Sequence, residues 1–405
     1  MTTQAAVRPR IPLAVFVLGA SIFGLGTTEF MVAGLLPAIA ADLGVSIPRA
    51  GLLISGFAVG MAVGAPVMAI TTLRLPRKAT LLGAAAVFIG GHVAAALAEN
   101  YSVLMTARFV TAVATGTFWA VAAVVTVRVT PPGATARALA VLVGGLTLAN
   151  VLGVPAGTWI GHALGWRATF WAVAALTVVT AVGVALLIPT HATAGGPRPQ
   201  IRRELGVFRG PRIWLALATT ATFQTAIFAA FSYFAPLLID VSGLDPGHVP
   251  AVLAVFGIGS LVGITLGGRF ADRNLFASIY GSLTAVAVAM TVLALVADST
   301  LWAVVAVGAV GVAGFSIAPA LNARVFVVAG DAPTLAASVN TSAFNVGNTL
   351  GPWLGGVAIA AGWGYVAPVW LAAGIAIAAL GVAAVAHRYE RTHTGKAPDL
   401  ALTSH

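Results

Sequence analysis

The chain contains no cysteine and little charge: Asp, Glu, Lys and Arg together make up 8% of its 405 residues. Without cysteine there is no disulfide framework, no thiolate metal site and no iron–sulfur cluster. The seven histidines are scattered and never paired at ligand spacing, so metal chemistry is not expected, nor is any cofactor. No nucleophile with a base and no carboxylate pair stands out, which argues against a membrane enzyme. An ordinary soluble domain carries about 25% charged residues. A chain that is 59% hydrophobic and so poor in charge has lipid as its solvent.

What fills the sequence instead is a succession of apolar runs, and a bilayer core of roughly 30 Å needs about 20 such residues per helix. Cutting at turn and charge clusters predicts spans at 11–36, 50–73, 79–98, 102–127, 138–160 and 168–189. A second set follows at 213–238, 249–271, 276–297, 301–323, 335–359 and 365–387. The first run is too long for a signal-peptide core and no small-residue cleavage site follows it, so it is expected to be retained. With this cut, alternate loops and both termini hold 18 of the 21 Lys and Arg, while the opposite loops hold only Arg49 and Arg167. Basic residues favour the cytoplasmic side, which puts both termini in the cytoplasm and makes the span count even. The net charge of +10 is then a topology signal, and no nucleic-acid partner is implied.

The polar stretch from His191 to Arg212 holds Pro197, Pro199 and five arginines. It reads as a cytoplasmic linker, 190–212, between six-span halves at 1–189 and 213–387, with a cytoplasmic tail at 388–405. The halves resemble each other. An offset of 199 places Phe57, Gly60, Gly64 and Arg74 on Phe256, Gly259, Gly263 and Arg273. An offset of 198 places Asn150, Leu152, Gly153 and Gly157 on Asn348, Leu350, Gly351 and Gly355. Two gap-free matches at nearly one offset point to parallel repeats around a central site. Glycines spaced by four (Gly56, Gly60, Gly64; Gly259, Gly263, Gly267) clear one helix face for close packing, and the same smooth face can slide.

Glu29 interrupts the apolar first span, and an ionisable residue at that depth is a functional candidate by default. A carboxyl removed from water favours its neutral form, which suits a group that takes up and releases a proton. The competing reading is a structural Glu satisfied by an Arg or by backbone. Arg108 is the one basic residue deep inside a predicted span. At about 1.5 Å per residue both sit roughly 10 Å below the outer surface, close enough to pair. Arg108 either switches Glu29 or anchors the fold.

Arg108, Ala112, Thr115 and Trp119 share one face of the fourth helix, so Trp119 is either a cavity residue or a packing residue. In the aromatic seventh span, Gln224, Phe228 and Phe231 lie on one face. They read equally as an apolar ligand wall or as a lipid-facing seam. Asn345 and Asn348, at similar depth on the eleventh span, either face a ligand or bond between helices.

These residues resemble those of the major facilitator superfamily, specifically its twelve-helix bacterial drug:proton antiporters, over nearly the whole chain. Gly26-Thr27-Thr28-Glu29-Phe30 followed by Gly34-Leu35-Leu36-Pro37 is similar to the first helix of chloramphenicol-efflux and sugar-efflux proteins. That resemblance implies that Glu29 takes part in proton and substrate coupling, and that Arg108 is the fourth-helix arginine linked to proton transfer. Gly153-Val154-Pro155-Ala156-Gly157 resembles the fifth-helix motif of exporters, and Pro155 is expected to loosen the helix there. Gly268, Arg269, Asp272 and Arg273 resemble the second copy of a cytoplasmic gate latch; the first copy has Leu73 where Asp272 stands. Gly161 to Trp171 also resembles actinobacterial chloramphenicol exporters.

The resulting expectation is an all-α membrane protein with twelve transmembrane helices in two pseudo-symmetric six-helix bundles. It sits in a bacterial cytoplasmic membrane as a monomer whose partners are a small-molecule substrate, protons and the lipid bilayer. It exchanges a small, weakly polar compound, such as chloramphenicol, for protons and draws on the proton gradient. A sugar or arabinose exporter is the nearest alternative, and a non-transporting membrane sensor a more distant one.

Overall fold

The computed structural model describes residues 10–72, 75–131, 133–189, 208–329 and 333–393. They form twelve helices: α1 Leu13–Asp42, α2 Ile47–Thr71, α3 Arg77–Ala96, α4 Tyr101–Val129, α5 Thr135–Leu164 and α6 Trp166–Leu187 make the first half. The second half comprises α7 Pro211–Val241, α8 Pro246–Arg273, α9 Leu275–Leu295, α10 Thr300–Ala329, α11 Pro333–Ala360 and α12 Ala367–His393. No strand occurs among the described residues. Eleven of the helices are long and apolar enough to cross a membrane. The remaining one, α11, carries Asn340, Asn345 and Asn348 and packs between α2 and α7. In hydrocarbon every backbone polar group needs an internal partner, and helices provide it within one segment.

The repeat is visible in the element starts. Leu13 and Pro211, Arg77 and Leu275, and Thr135 and Pro333 open equivalent helices 198 residues apart. The glycine stripes serve packing inside each half: Gly60 lies against Ala112 and Phe109 of α4, while Gly259 and Gly263 lie against Val312 of α10. A Cβ on Gly60 would stand 2.7 Å from that of Ala112, and one on Gly259 would stand 3.2 Å from the Val312 nitrogen.

Helix ends depart from the predicted spans. α1 runs on to Asp42 instead of ending at 36, and α12 continues to His393, past the expected start of the tail at 388. Leu73 and Arg74 of the first latch copy, and residues 190–207 of the expected linker, lie outside the described residues. Arg324 is a correction. The charge partition assigns it to a cytoplasmic loop and leaves Arg108 as the sole basic residue deep within a span; in the structure α10 extends to Ala329 and Arg324 is 1% exposed. Its guanidinium meets Glu390 Oε1 at 2.9 Å and Thr219 Oγ1 at 3.3 Å. The prolonged α12 delivers that carboxylate, so burial leaves no unpaired charge.

α5 is not uniform. Residues Ala149–Gly153 form a π segment in which the Val154 N–H reaches back to the Ala149 carbonyl. Pro155 follows at once. Lacking an N–H, it cannot close the bond to Val151, and the preceding turn widens. α7 also holds a π segment, at Leu237–Val241, but there the proline, Pro236, precedes the segment.

Candidate functional site

The two halves enclose a central cavity of about 570 Å³. Its wall combines Glu29 and Phe30 of α1, Thr115 and Trp119 of α4, and Asn150 from the π segment of α5. The second half adds Gln224, Phe228 and Phe231 of α7, Phe256 of α8, Phe315 of α10, and Asn345 and Asn348 of α11. Glu29, Trp119, Gln224, Phe228, Phe231 and Asn345 are thus brought together, and the aromatic face of α7 turns inward. Glu29 is the one charged residue on this wall among the described residues.

A polar line crosses between the halves. Asn348 Nδ2 donates to Glu29 Oε1 at 3.3 Å, and Gln224 Nε2 donates to Asn348 Oδ1 at 2.8 Å. Most of the remaining wall is apolar, and a run of aromatic rings crosses it. Phe30 lies 5.5 Å from Phe228 and 6.4 Å from Phe231, ring centre to ring centre, and Phe231 continues to Phe256 at 4.9 Å. Tilted and edge-on pairs of this kind suit the ring quadrupoles. Such a chamber accepts a compound with apolar or aromatic area and a few hydrogen-bonding groups. Asn345 donates to the Thr341 carbonyl at 3.0 Å, and its Oδ1 is buried with no hydrogen-bond partner among the described residues.

Arg108 stands one layer behind the wall, 1% exposed. Nη1 donates to the Thr28 carbonyl at 2.6 Å, and Nη2 to the Glu29 carbonyl at 3.4 Å. Nε reaches the Leu53 carbonyl at 3.5 Å, and the guanidinium carbon lies 4.2 Å from the centre of the Phe57 ring. The carboxylate of Glu29 makes no ion pair among the described residues. The expected meeting of the two side chains therefore takes another form: Arg108 grips the backbone of α1 beside Glu29 and leaves the carboxylate turned to the cavity. Because α1 overshoots, Glu29 lies further from its helix end than Arg108 does from Tyr101, yet the hydrogen bond to the Glu29 carbonyl puts the two in one layer. On α4, Thr115 and Trp119 face the cavity, whereas Ala112 packs against Phe57 and Met61.

The fifth-helix residues flank the site. Gly153 is buried against Thr27 of α1, Gly157 accepts a 2.8 Å hydrogen bond from Thr169 of α6 through its carbonyl, and Pro155 sits between them. Across the halves, a Cβ on Gly257 of α8 would lie 2.8 Å from the Asn150 carbonyl oxygen. Gly268, Arg269, Asp272 and Arg273 are not brought to the cavity. They end α8, where Arg269, Asp272 and Arg273 are exposed and form no ion pair among the described residues.

Sequence reasoning missed His92 of α3, which is 1% exposed and holds Thr28. Its signal in the sequence is a lone His in an otherwise apolar run. Tyr233, buried on α7, was missed too; its hydroxyl donates to the Pro352 carbonyl at 2.7 Å.

Comparison with known proteins bears on what the cavity serves. The sequence is 40% identical to the inner membrane transport protein YdhP of Escherichia coli K12, over 87% of this chain and 90% of that one. It is 39% identical to the chloramphenicol resistance protein of Streptomyces lividans, over 91% and 94% of the two chains. The putative transporter AraJ of E. coli K12 is 30% identical over 95% and 97%. The fold is shared, with a TM-score of 0.74, by a crystal structure described as a bacterial homolog of the human lysosomal transporter Spinster in an inward-facing and occupied conformation. That chain is 18% identical, and the match covers 93% of this chain and 96% of that one. The profile of the Major Facilitator Superfamily matches residues 18–334, and this chain belongs to that superfamily of membrane transporters.

Proposed function

We propose that the protein exports a small, weakly polar compound from a bacterial cell in exchange for protons, by alternating access of one cavity to the two sides of the cytoplasmic membrane. The observation that carries this reading is a single carboxylate, Glu29, on a wall otherwise built from apolar and aromatic side chains with a few amides and hydroxyls. With the termini in the cytoplasm, substrate enters from the inner side and the halves rock. Protonation of Glu29 from outside weakens its acceptance of the Asn348 hydrogen bond and favours release and return. One charge crossing 100 mV supplies about 2.3 kcal/mol, and a pH gradient adds to it. The working unit is a monomer, since the cavity is completed within one chain.

The ring-lined wall favours a compound with apolar area over a sugar, and the resemblance to a chloramphenicol resistance protein supports chloramphenicol as the first substrate to try. In proteoliposomes, an inward proton gradient is expected to drive uphill chloramphenicol efflux. Glu29→Gln is expected to lose uphill transport while retaining downhill exchange. Transport indifferent to the gradient, or unchanged in Glu29→Gln, would remove the coupling. Robust arabinose efflux without chloramphenicol efflux would replace the substrate class.

A further inference from the structure

Behind the cavity, a second polar line runs from Arg108 through Thr28 to His92, and no part of it lines the substrate chamber. His92 Nδ1 lies 2.9 Å from the Phe88 carbonyl, one turn back on α3. A carbonyl only accepts, so Nδ1 carries the hydrogen and Nε2 of the neutral ring is a bare acceptor. Thr28 Oγ1 lies 2.7 Å from that Nε2 and must donate its hydrogen there. Its lone pairs are then left for Arg108 Nη1 at 3.4 Å, beside the Thr28 carbonyl that takes the same nitrogen at 2.6 Å. The imidazole has little room to turn, with the Phe88 ring at 4.0 Å and that of Phe170 at 5.7 Å, centre to centre.

We propose that His92 is a positioning residue for Glu29: through the Thr28 hydroxyl it fixes the stretch of α1 on which Arg108 is held, and so keeps the guanidinium on the backbone and off the carboxylate. The inference deepens the proton-coupling reading and rests on it. Arg108 on α4, whose guanidinium donates to the Glu29 carbonyl, is the charged group beside Glu29. From α11 and α7 the facing groups are the amides of Asn348 and, beyond it, Gln224; from α5 it is the amide of Asn150. α3 contributes His92 itself, and α2 offers Arg108 the Leu53 carbonyl and the Phe57 ring. Loss of the His92 link frees Arg108 to turn toward the nearest anion, the Glu29 carboxylate, which then holds its charge to lower pH. A protonated His92 would act in the same sense, because Nε2 would become a donor and the Thr28 hydrogen would turn toward Arg108.

The test reads Glu29 without substrate or gradient. Dicyclohexylcarbodiimide attacks protonated carboxyl groups, and its attachment to the Glu29 peptide of the purified full chain is followed by mass spectrometry across pH. In His92→Leu and in Thr28→Val the labelling midpoint is expected to fall by about one pH unit, with no further fall in the double variant. His92→Gln, whose amide oxygen can accept from Thr28, and Thr28→Ser are expected to restore the midpoint. A structural role alone would lower the melting temperature without moving the midpoint. If His92→Leu does not fold, Thr28→Val and Thr28→Ser decide. An unmoved midpoint in a folded Thr28→Val overturns the inference, whatever the efflux assay gives. Gradient-independent efflux with a moved midpoint would instead remove the coupling and leave the positioning intact.

Discussion

Asp42, at the end of α1, accepts from two donors through one carboxylate oxygen. Arg167 Nη1 lies 2.5 Å from Oδ2, Trp166 Nε1 donates to the same atom at 3.2 Å, and Arg167 Nη2 goes on to the Ala98 carbonyl at 2.8 Å. The cluster ties the ends of α1, α3 and α6 together. The Arg167 hydrogen bond holds the Asp42 carboxyl below its ordinary range. A depressed carboxyl contributes stability that is present above the unfolded pKa of about 3.9 and lost as pH falls through the folded value. The pair is partly exposed, so its contribution is at most about 1 kcal/mol. Melting in detergent is expected to show a small loss below pH 4 that Asp42→Asn abolishes, the variant being slightly less stable at neutral pH. At this scale the sequence exposes what is chemically out of place. Glu29 is such a residue, and so are Arg108 and, with less emphasis, Trp119. It does not expose which atom a side chain meets: Arg108 and Glu29 share a layer, yet the guanidinium takes the α1 carbonyls. The other side of the group meets the Leu53 carbonyl and Phe57 ring of α2, partners that no spacing along α1 or α4 reveals.

The fifth helix shows what a single imino acid does to an element. With the Pro155 nitrogen unable to donate, the turn over Ala149–Gly153 widens, and Asn150 within it is turned into the cavity wall. Pro155→Ala supplies the missing donor and is expected to close this turn to ordinary α geometry. The variant should melt higher and transport more slowly; equal or faster transport at raised stability would exclude a hinge at this point. Glycine contacts divide by partner in the same way. Gly263 packs on α10 within its own half, so Gly263→Val is expected to destabilise by about 1–3 kcal/mol through overpacking. Gly257 meets the α5 backbone across the halves, where an added Cβ would stand 2.8 Å from the Asn150 oxygen, so Gly257→Ala is expected to disfavour this conformation and impair transport, with a smaller loss of melting temperature than Gly263→Val. Element number, order and the offset repeat were legible in the sequence because lipid admits helices and little else, and because loop charge alternates. The ends of α1, α10 and α12 were not. They are set by Arg167 acting on Asp42 and by Glu390 acting on Arg324, pairings between residues distant in sequence.

At the scale of the whole molecule, the halves meet firmly at the end of the bundle away from the termini. Tyr233 of α7 fills the space beside Gly51 of α2 and Gly355 of α11, and the Ser55 hydroxyl of α2 donates to the Thr349 carbonyl of α11 at 2.8 Å. Pro48, at the start of α2, lies next to Gly356 near the end of α11: a Cβ on Gly356 would stand 3.4 Å from that of Pro48. A disulfide needs its two Cβ atoms roughly 3.5–4.5 Å apart, and the chain has no cysteine of its own to compete. Pro48→Cys with Gly356→Cys is therefore expected to oxidise readily, with only the far end of the Tyr233 side chain displaced. Free thiols counted by maleimide mass tagging should disappear on oxidation and return with reductant. If alternating access requires these helix ends to separate, the oxidised protein binds substrate but does not carry it across, and reduction restores transport. A cross-linked protein that still transports at the rate of the reduced form would mean that α2 and α11 stay together throughout the cycle, and that the halves open along another seam.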